Sequence, residues 1–240
     1  MELNLDKLPI LLAALDDEKV SVVWNACREL AKYGERASEA LPKLNLLLTQ
    51  RDQTTVLWTR FAIAKITGDT ESHLPYFVEA LGEKKRIWAG MASTAIAGFG
   101  AEASIAVPQL IEELGDEKAD NRWGAAWAFA QMGEAASAAV SALAHALQTD
   151  GDEKVRWYAA FALSEMGTSA AEALPVLIDA LDDADDDVRG YTVKAMGRIG
   201  EPARPTLTLL EALLTDDNPT VRSEVETAIA LLSKLPPNPA

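Results

Sequence analysis

An apolar residue, in most cases followed by proline, returns along this chain at a nearly fixed interval. It stands at Leu8-Pro9, Leu41-Pro42, Leu74-Pro75, Val107-Pro108, Val140-Ser141, Leu174-Pro175 and Leu207-Thr208, in steps of 33, 33, 33, 33, 34 and 33 residues. A period of this length leaves few folds open, because each unit is too small to enclose an apolar face and must bury it against its neighbours. A second marker, glycine, closes six of the units at Gly34, Gly68, Gly100, Gly133, Gly167 and Gly200. One array of seven units over residues 1–235 is expected, with units starting near 8, 41, 74, 107, 140, 174 and 207. Residues 236–240 are expected to form a flexible tail.

Each unit reads as two helices. Proline in the first turn costs no hydrogen bond, and Leu174, Leu177, Ile178 and Leu181 fall at i, i+3, i+4 and i+7, an apolar stripe on a short first helix. A polar turn rich in acids follows, as at Asp116-Glu117 or Asp182-Asp183 to Asp187. Acids there accept hydrogen bonds from, and favour the positive end of, the helix that starts next. The second helix runs to the glycine, which takes the left-handed backbone that ends a helix. No alternating run of strand length occurs, so the chain is expected to be all-α.

The repeated pattern is Leu-Pro-x-Leu, an Asp-rich turn, Val-Arg at 155–156, 188–189 and 221–222, Ala-Ala, and a closing Met/Ile-Gly. It lacks the Thr-Pro-Leu-His start of ankyrin units and the Trp-Leu-Gly-Tyr pattern of tetratricopeptide units. It resembles the HEAT repeat, in the short form of the phycobilisome lyase (PBS lyase) subunits. The resemblance implies an α-solenoid wound as a right-handed superhelix, with the second helices lining its concave side. It also implies that Arg122, Arg156, Arg189 and Arg222, which recur just after the acidic turn, bond turn carboxylates of their own or the adjacent unit. Units one to three carry Val23, Leu57 and Ala89 at that place, so the N-terminal half is expected to be less tightly tied.

Advancing 100° per residue along the second helix of unit five puts Val155, Ala159, Ala162, Leu163 and Met166 toward the core and Trp157, Ala160, Phe161 and Ser164 opposite. The same offset elsewhere selects Trp24 with Cys27, Trp58 with Phe61, and Trp123 with Ala126, Trp127 and Ala130. In unit three it selects Gly90, Ser93, Thr94 and Ala97, and Trp88 falls toward the core. Tryptophan is enriched at binding hot spots, and rings among Ala, Gly and Ser make a trough with room in it. Trp24, Trp58, Trp123, Trp127, Trp157 and Phe161 are therefore the expected partner-binding residues; rings packed as a stiffening ladder are the alternative.

The net charge of −15 has the wrong sign for releasing counterions from phosphates, so neither nucleic acid nor an anionic membrane is an expected partner. The acids concentrate in the turns, where they would suit a basic or amphipathic segment. The start of the chain lacks the basic region of a secretory signal, and a single cysteine, Cys27, forms no internal disulfide. A cytoplasmic location is expected.

Catalytic and metal chemistry find little support. The two histidines, His73 and His145, stand two units apart, and the His-Glu dipeptides with which the HEAT-repeat enzyme deoxyhypusine hydroxylase holds iron do not occur. Asp183-Ala184-Asp185-Asp186-Asp187 resembles the start of a calcium loop, but has Val188 at the sixth position and Lys194 at the twelfth. Cys27 has no histidine beside it in the pattern. The expected function is a non-enzymatic interaction module that holds a protein or peptide segment in an aromatic-lined concave groove, with no cofactor. The alternative is a bilin lyase-family component or chaperone that binds an open-chain tetrapyrrole, as the resemblance implies.

Overall fold

The computed structural model describes residues 5–50, 52–82 and 87–234, giving backbone alone for 82 and 87–89. The expected tail at 236–240 and the side chain of Trp88 lie outside the described residues. Among the described residues fourteen α-helices fall into seven antiparallel pairs: α1 (Leu8–Ala14) with α2 (Val20–Ala31), α3 (Leu41–Leu47) with α4 (Gln53–Thr67), α5 (Thr70–Gly82) with α6 (Ile87–Phe99), α7 (Val107–Glu113) with α8 (Ala119–Met132), α9 (Val140–Thr149) with α10 (Glu153–Met166), α11 (Leu174–Asp179) with α12 (Asp186–Ile199), and α13 (Leu207–Ala212) with α14 (Pro219–Ser233). No strand occurs among the described residues.

The helix boundaries follow from the marked residues. Pro9, Pro42, Pro108 and Pro175 sit in the first turn of their helices. Unit three departs from this pattern, because its first helix begins at Thr70 and carries Pro75 inside. The side chains of Asp52, Asp152, Asp185 and Asn218 accept hydrogen bonds from first-turn amides of α4, α10, α12 and α14. They fill orphan donors there and favour the positive helix end.

The glycines adopt positive φ in all six units; Gly68 is left-handed helical, at φ 74° and ψ 6°, whereas Gly133, Gly167 and Gly200 are not. Gly167, at φ 56° and ψ −128°, lies in the mirror of the β region, where a Cβ is not tolerated. The chain there turns into a short 3-10 segment instead of simply ending a helix. Such segments, Gly34–Ala40, Gly100–Ala106, Gly133–Ala139, Gly167–Ala173 and Glu201–Thr206, form a third row beside the two rows of α-helices. Each places alanine against its neighbours: Ala37, Ala40, Ala103, Ala106, Ala136, Ala139, Ala170, Ala173 and Ala203 are all essentially inaccessible. Alanine suits this row because a longer side chain would hold the segments apart.

One apolar core runs along the whole stack. The position four residues before each closing glycine is filled by Leu30, Ala64, Ile96, Phe129, Leu163 and Met196, all fully buried. The second helices pack side by side in chain order, α2 on α4 and so on to α14. Among the described residues α4 and α6 approach each other less closely than any other two successive second helices. Residues Gly90–Glu113 are apolar enough to span a membrane by composition, but the turn at Gly100, φ 61°, splits them between α6 and α7.

The arginine ladder exists and begins at unit four. Arg122 grips Asp150 of the next unit with Nε at 2.6 Å and Nη2 at 2.8 Å, and bonds the Asp116 carbonyl of its own turn at 3.0 Å. Arg156 repeats this with Asp183 and the Asp150 carbonyl. Arg189 does so with Asp216 and the Asp183 carbonyl. Arg222 bonds the carbonyls of Asp216 and Asp217 of its own turn. The N-terminal units are tied by other means: Lys43 bonds Asp16 at 2.5 Å, and Thr70 donates to Glu102 at 2.6 Å.

Candidate aromatic face

The core-facing side of the unit-five wheel is confirmed, since Val155, Ala159, Ala162, Leu163 and Met166 are all fully buried. The opposite side requires correction. Ala160 and Ser164 are also fully buried, as is Ala126, and Ser93 and Ala97 are 1% and 5% exposed. These small residues do not line an open trough. They seat the neighbouring second helices: a Cβ on Gly124 would meet Ser93 at 3.5 Å, and one on Gly197 would meet Ala228 at 3.0 Å. A wheel drawn for one helix ignores its lateral neighbours, which here cover both flanks.

What remains accessible is a row of ring edges. Trp24, Trp123, Trp127, Trp157, Phe61 and Phe161 are half-buried. Trp58 is corrected, because it is 4% exposed and forms the floor between α2, α4 and α6. Between α8, α10 and α12 the rings are contiguous. Trp123 stacks on Tyr158 at 5.5 Å, Trp127 meets Tyr158 edge-on at 5.8 Å and Phe161 at 6.1 Å, and Trp157 lies 4.4 Å from Tyr158. Tyr191 closes the run, 6.1 Å from Trp157 and 5.0 Å from Phe161. The expected residues Trp123, Trp127, Trp157 and Phe161 are thus brought together, while Trp24 and Trp58 belong to a separate cluster.

Sequence reasoning missed Tyr158 and Tyr191, which knit the run together. Tyr158 stands one position beside the outward offset, and its ring reaches sideways across the α8–α10 seam. Adjacency to Trp157 was the available signal. Cations from the chain already cover some faces: Lys154 Nζ lies 3.7 Å from the Trp123 ring centre, and Lys194 5.2 Å from that of Tyr191. Glu165 bonds Arg198 at 2.6 Å beside Lys194 at 3.7 Å, which gives the run a charged rim. The Trp123 indole donates to Asp120 at 3.0 Å.

Other chemistry-bearing groups stand apart. Cys27 is fully buried between α2 and α4, with its sulfur 3.6 Å from Thr59 Oγ1, so it does not face a groove. Burial pushes its thiol up to about 11, the Thr59 contact only partly opposing. The thiol is therefore protonated and inert at neutral pH. We expect the native chain to react with a disulfide reagent at pH 8 about 100-fold or more slowly than the guanidinium-unfolded chain. Equal rates, followed by thionitrobenzoate release, would contradict this burial. Glu113, buried on α7, is raised to about 7 by desolvation and by Asp116 and Glu112. His73 is shifted downward by burial and by Arg60, partly opposed by Asp69. Asp185, Asp186 and Asp187 converge closely enough to hold a cation, but Asp186 and Asp187 are exposed.

Stacked helix pairs joined by inter-unit hydrogen bonds define an all-α solenoid of tandem repeats. More narrowly, residues 140–230 match the model for HEAT repeats and residues 122–149 that for the PBS lyase HEAT-like repeat. Over those residues the chain is thus similar to HEAT repeats, the short PBS lyase-like kind included. No curated protein matches the sequence. Among solved structures, one engineered protein matches at 21% identity over 94% of this chain and 68% of its own, with a TM-score of 0.61. A second engineered protein matches at 22% identity over 96% and 97%, with a TM-score of 0.52. The complex of CpcE and CpcF of phycocyanin lyase from Nostoc sp. PCC7120 matches at 23% identity over 65% of this chain and 98% of that one, with a TM-score of 0.53. At such identities the likeness concerns the fold.

Proposed function

We propose that this chain is a non-enzymatic interaction module that holds a protein or peptide segment against the face formed by its second helices. One observation carries the reading: rings from three successive units, Trp123 and Trp127, then Tyr158, Trp157 and Phe161, then Tyr191, form one contiguous, half-exposed run. Half-buried aromatic rings with fixed positions lose little entropy on binding and offer large apolar contacts. The net charge of −15 favours a basic or amphipathic segment, disfavours nucleic acid and anionic membranes, and suits a cytoplasmic protein.

A second reading has its own support. The PBS lyase-like repeat and the likeness to CpcE and CpcF favour a role in handling an open-chain tetrapyrrole, for which flat rings give a stacking surface.

The test is a triple variant, Trp123→Leu, Trp127→Leu and Trp157→Leu, which keeps apolar volume at each site. Wild type and variant, both shown to be folded by circular dichroism, would be offered an amphipathic basic helix, an acidic helix and a free bilin. Peptide binding that is selective for the basic helix and at least about tenfold weaker in the variant supports the module. Visible absorbance that shifts on mixing with bilin, and fails to shift in the variant, supports the second reading. Unchanged binding in the variant would mean that the rings serve only to join repeats.

A further inference from the structure

The N-terminal cluster differs in charge from the rest of the molecule. A depression of about 280 Å3 lies where α2, α4 and α6 meet, lined by Arg28, Ala31, Lys32, Trp58, Phe61, Lys65, Thr94 and Gly98. In a chain of net charge −15, its lining carries three cations and no acid. Lys32 is engaged by Glu29 at 2.5 Å. Among the described residues no carboxylate lies within ion-pairing distance of Arg28 or Lys65; their partners are rings. The Arg28 guanidinium sits 4.8 Å from the Trp58 ring centre and 5.9 Å from that of Trp24, and Lys65 Nζ lies 5.9 Å from that of Phe99.

The floor is apolar and rigid. Trp58 meets Phe61 edge-on at 5.7 Å, and Phe61 meets Phe99 at 5.0 Å. Gly98 makes this arrangement possible, since a Cβ there would fall 2.6 Å from Phe61 Cζ. Phe61 occupies the wider spacing between α4 and α6, its ring lying directly against Gly98. A guanidinium stacked on an aromatic face keeps its N–H edges available for a planar, two-oxygen acceptor. A flat apolar floor, a pre-oriented guanidinium and an ammonium group beside it form one recognition pattern. The volume stands at the small end of ligand sites, about 300–1,000 Å3, which limits the occupant to one compact ring system.

We propose that this depression binds a small aromatic carboxylate, its ring lying against the half-buried Phe61 beside Arg28 and its carboxylate accepting hydrogen bonds from Arg28 and Lys65. The site is separate from the run between α8 and α12, and it stands whether or not that run binds a partner. The preference is for a single negative charge next to an aromatic body. A cation is repelled by the same groups that hold the anion.

The experiment is calorimetric titration of the full chain at low ionic strength with three probes of one shape: 1-naphthaleneacetate, neutral 1-naphthaleneacetamide and cationic 1-naphthylmethylamine. The expected result is saturable one-to-one binding of the acid, binding of the amide weaker by about tenfold or more, and no binding of the amine. Arg28→Gln with Lys65→Gln is expected to reduce acid binding to the level of the amide. Thr94→Leu, at an exposed position on the rim, leaves both cations in place, fills the space and should abolish binding without shifting the thermal midpoint. Failure of the acid to saturate at millimolar concentration, or equal binding of acid and amide by wild type, would overturn the proposal. Both results use the unaltered protein, so the outcome does not depend on how the variants fold.

Discussion

Phe129→Ala is expected to destabilise the chain by about 3–5 kcal/mol, the usual cost of emptying a large, fully enclosed aromatic site. Phe129 is inaccessible on α8, at the position taken in other units by Leu30, Ile96, Leu163 and Met196. It carries the largest side chain of that series, and the alanine-rich surroundings cannot collapse to fill the space. In a repeat array stability is roughly a sum of unit and interface contributions. A cavity in unit four is therefore expected to weaken both of its interfaces, and the loss should show as a lower denaturant midpoint with a broadened or divided transition. Circular dichroism in urea measures both quantities. A midpoint shift equivalent to less than about 1 kcal/mol would show that the core near Phe129 is much looser than its burial indicates.

Arg156→Ala is expected to cost about 2–4 kcal/mol, somewhat below the figure for a fully enclosed ion pair, since the Arg156 and Asp183 side chains retain 17% and 11% exposure. The substitution removes two charge-assisted bonds to Asp183 and one to the Asp150 carbonyl, and leaves the Asp183 carboxylate with little solvent to replace them. Burial pushes the Asp183 carboxyl up, but hydrogen bonds from Arg156 and the Asp185 amide, with the charges of Arg156 and Arg189, outweigh it and hold the group below its usual range. A depressed carboxyl stabilises the fold above its unfolded pKa of about 3.9 and loses that contribution as pH falls through the folded value. The gap between wild type and Arg156→Ala should therefore be full at pH 7 and narrow below about pH 4. A gap that stays constant across that range would assign the cost to lost packing of the arginine stem. Because the pair joins units five and six, the variant should also release units six and seven at lower denaturant than the rest.

The period and its markers were enough to place helices. Proline restricts the chain to a first helical turn, aspartate caps the next helix, and glycine opens a backbone region closed to other residues; each acts within a few residues of itself. The ladder from Arg122 to Arg222 was legible for a related reason, since identical units stacked with one translation must bring identical offsets together. The short 3-10 row escaped notice, although its Ala-x-x-Ala spacing is printed in most units, because alanine carries little pattern of its own. Unit three broke the rule at its start, where Thr70 and Asp69 begin the helix before Leu74-Pro75 is reached.

The aromatic face was only half legible. Helical periodicity determines which side of a helix points away from its own partner, and so Trp123, Trp127, Trp157 and Phe161 were found on one face. It contains nothing about how closely the next units approach. That distance is set by pairs such as Gly124 with Ser93 and Gly197 with Ala228, which let the second helices close up laterally and bury Ala160, Ser164 and Cys27. It is also set by the wider spacing of α4 and α6, where Trp58 is buried and Arg28 rests on its ring. The sequence by itself thus determined the repeat, the helices and the ladder, because these depend on local backbone chemistry and translation. The tertiary structure decided which rings meet, which small residues are covered and where a cation lacks an acid, because those depend on the spacing between neighbouring units.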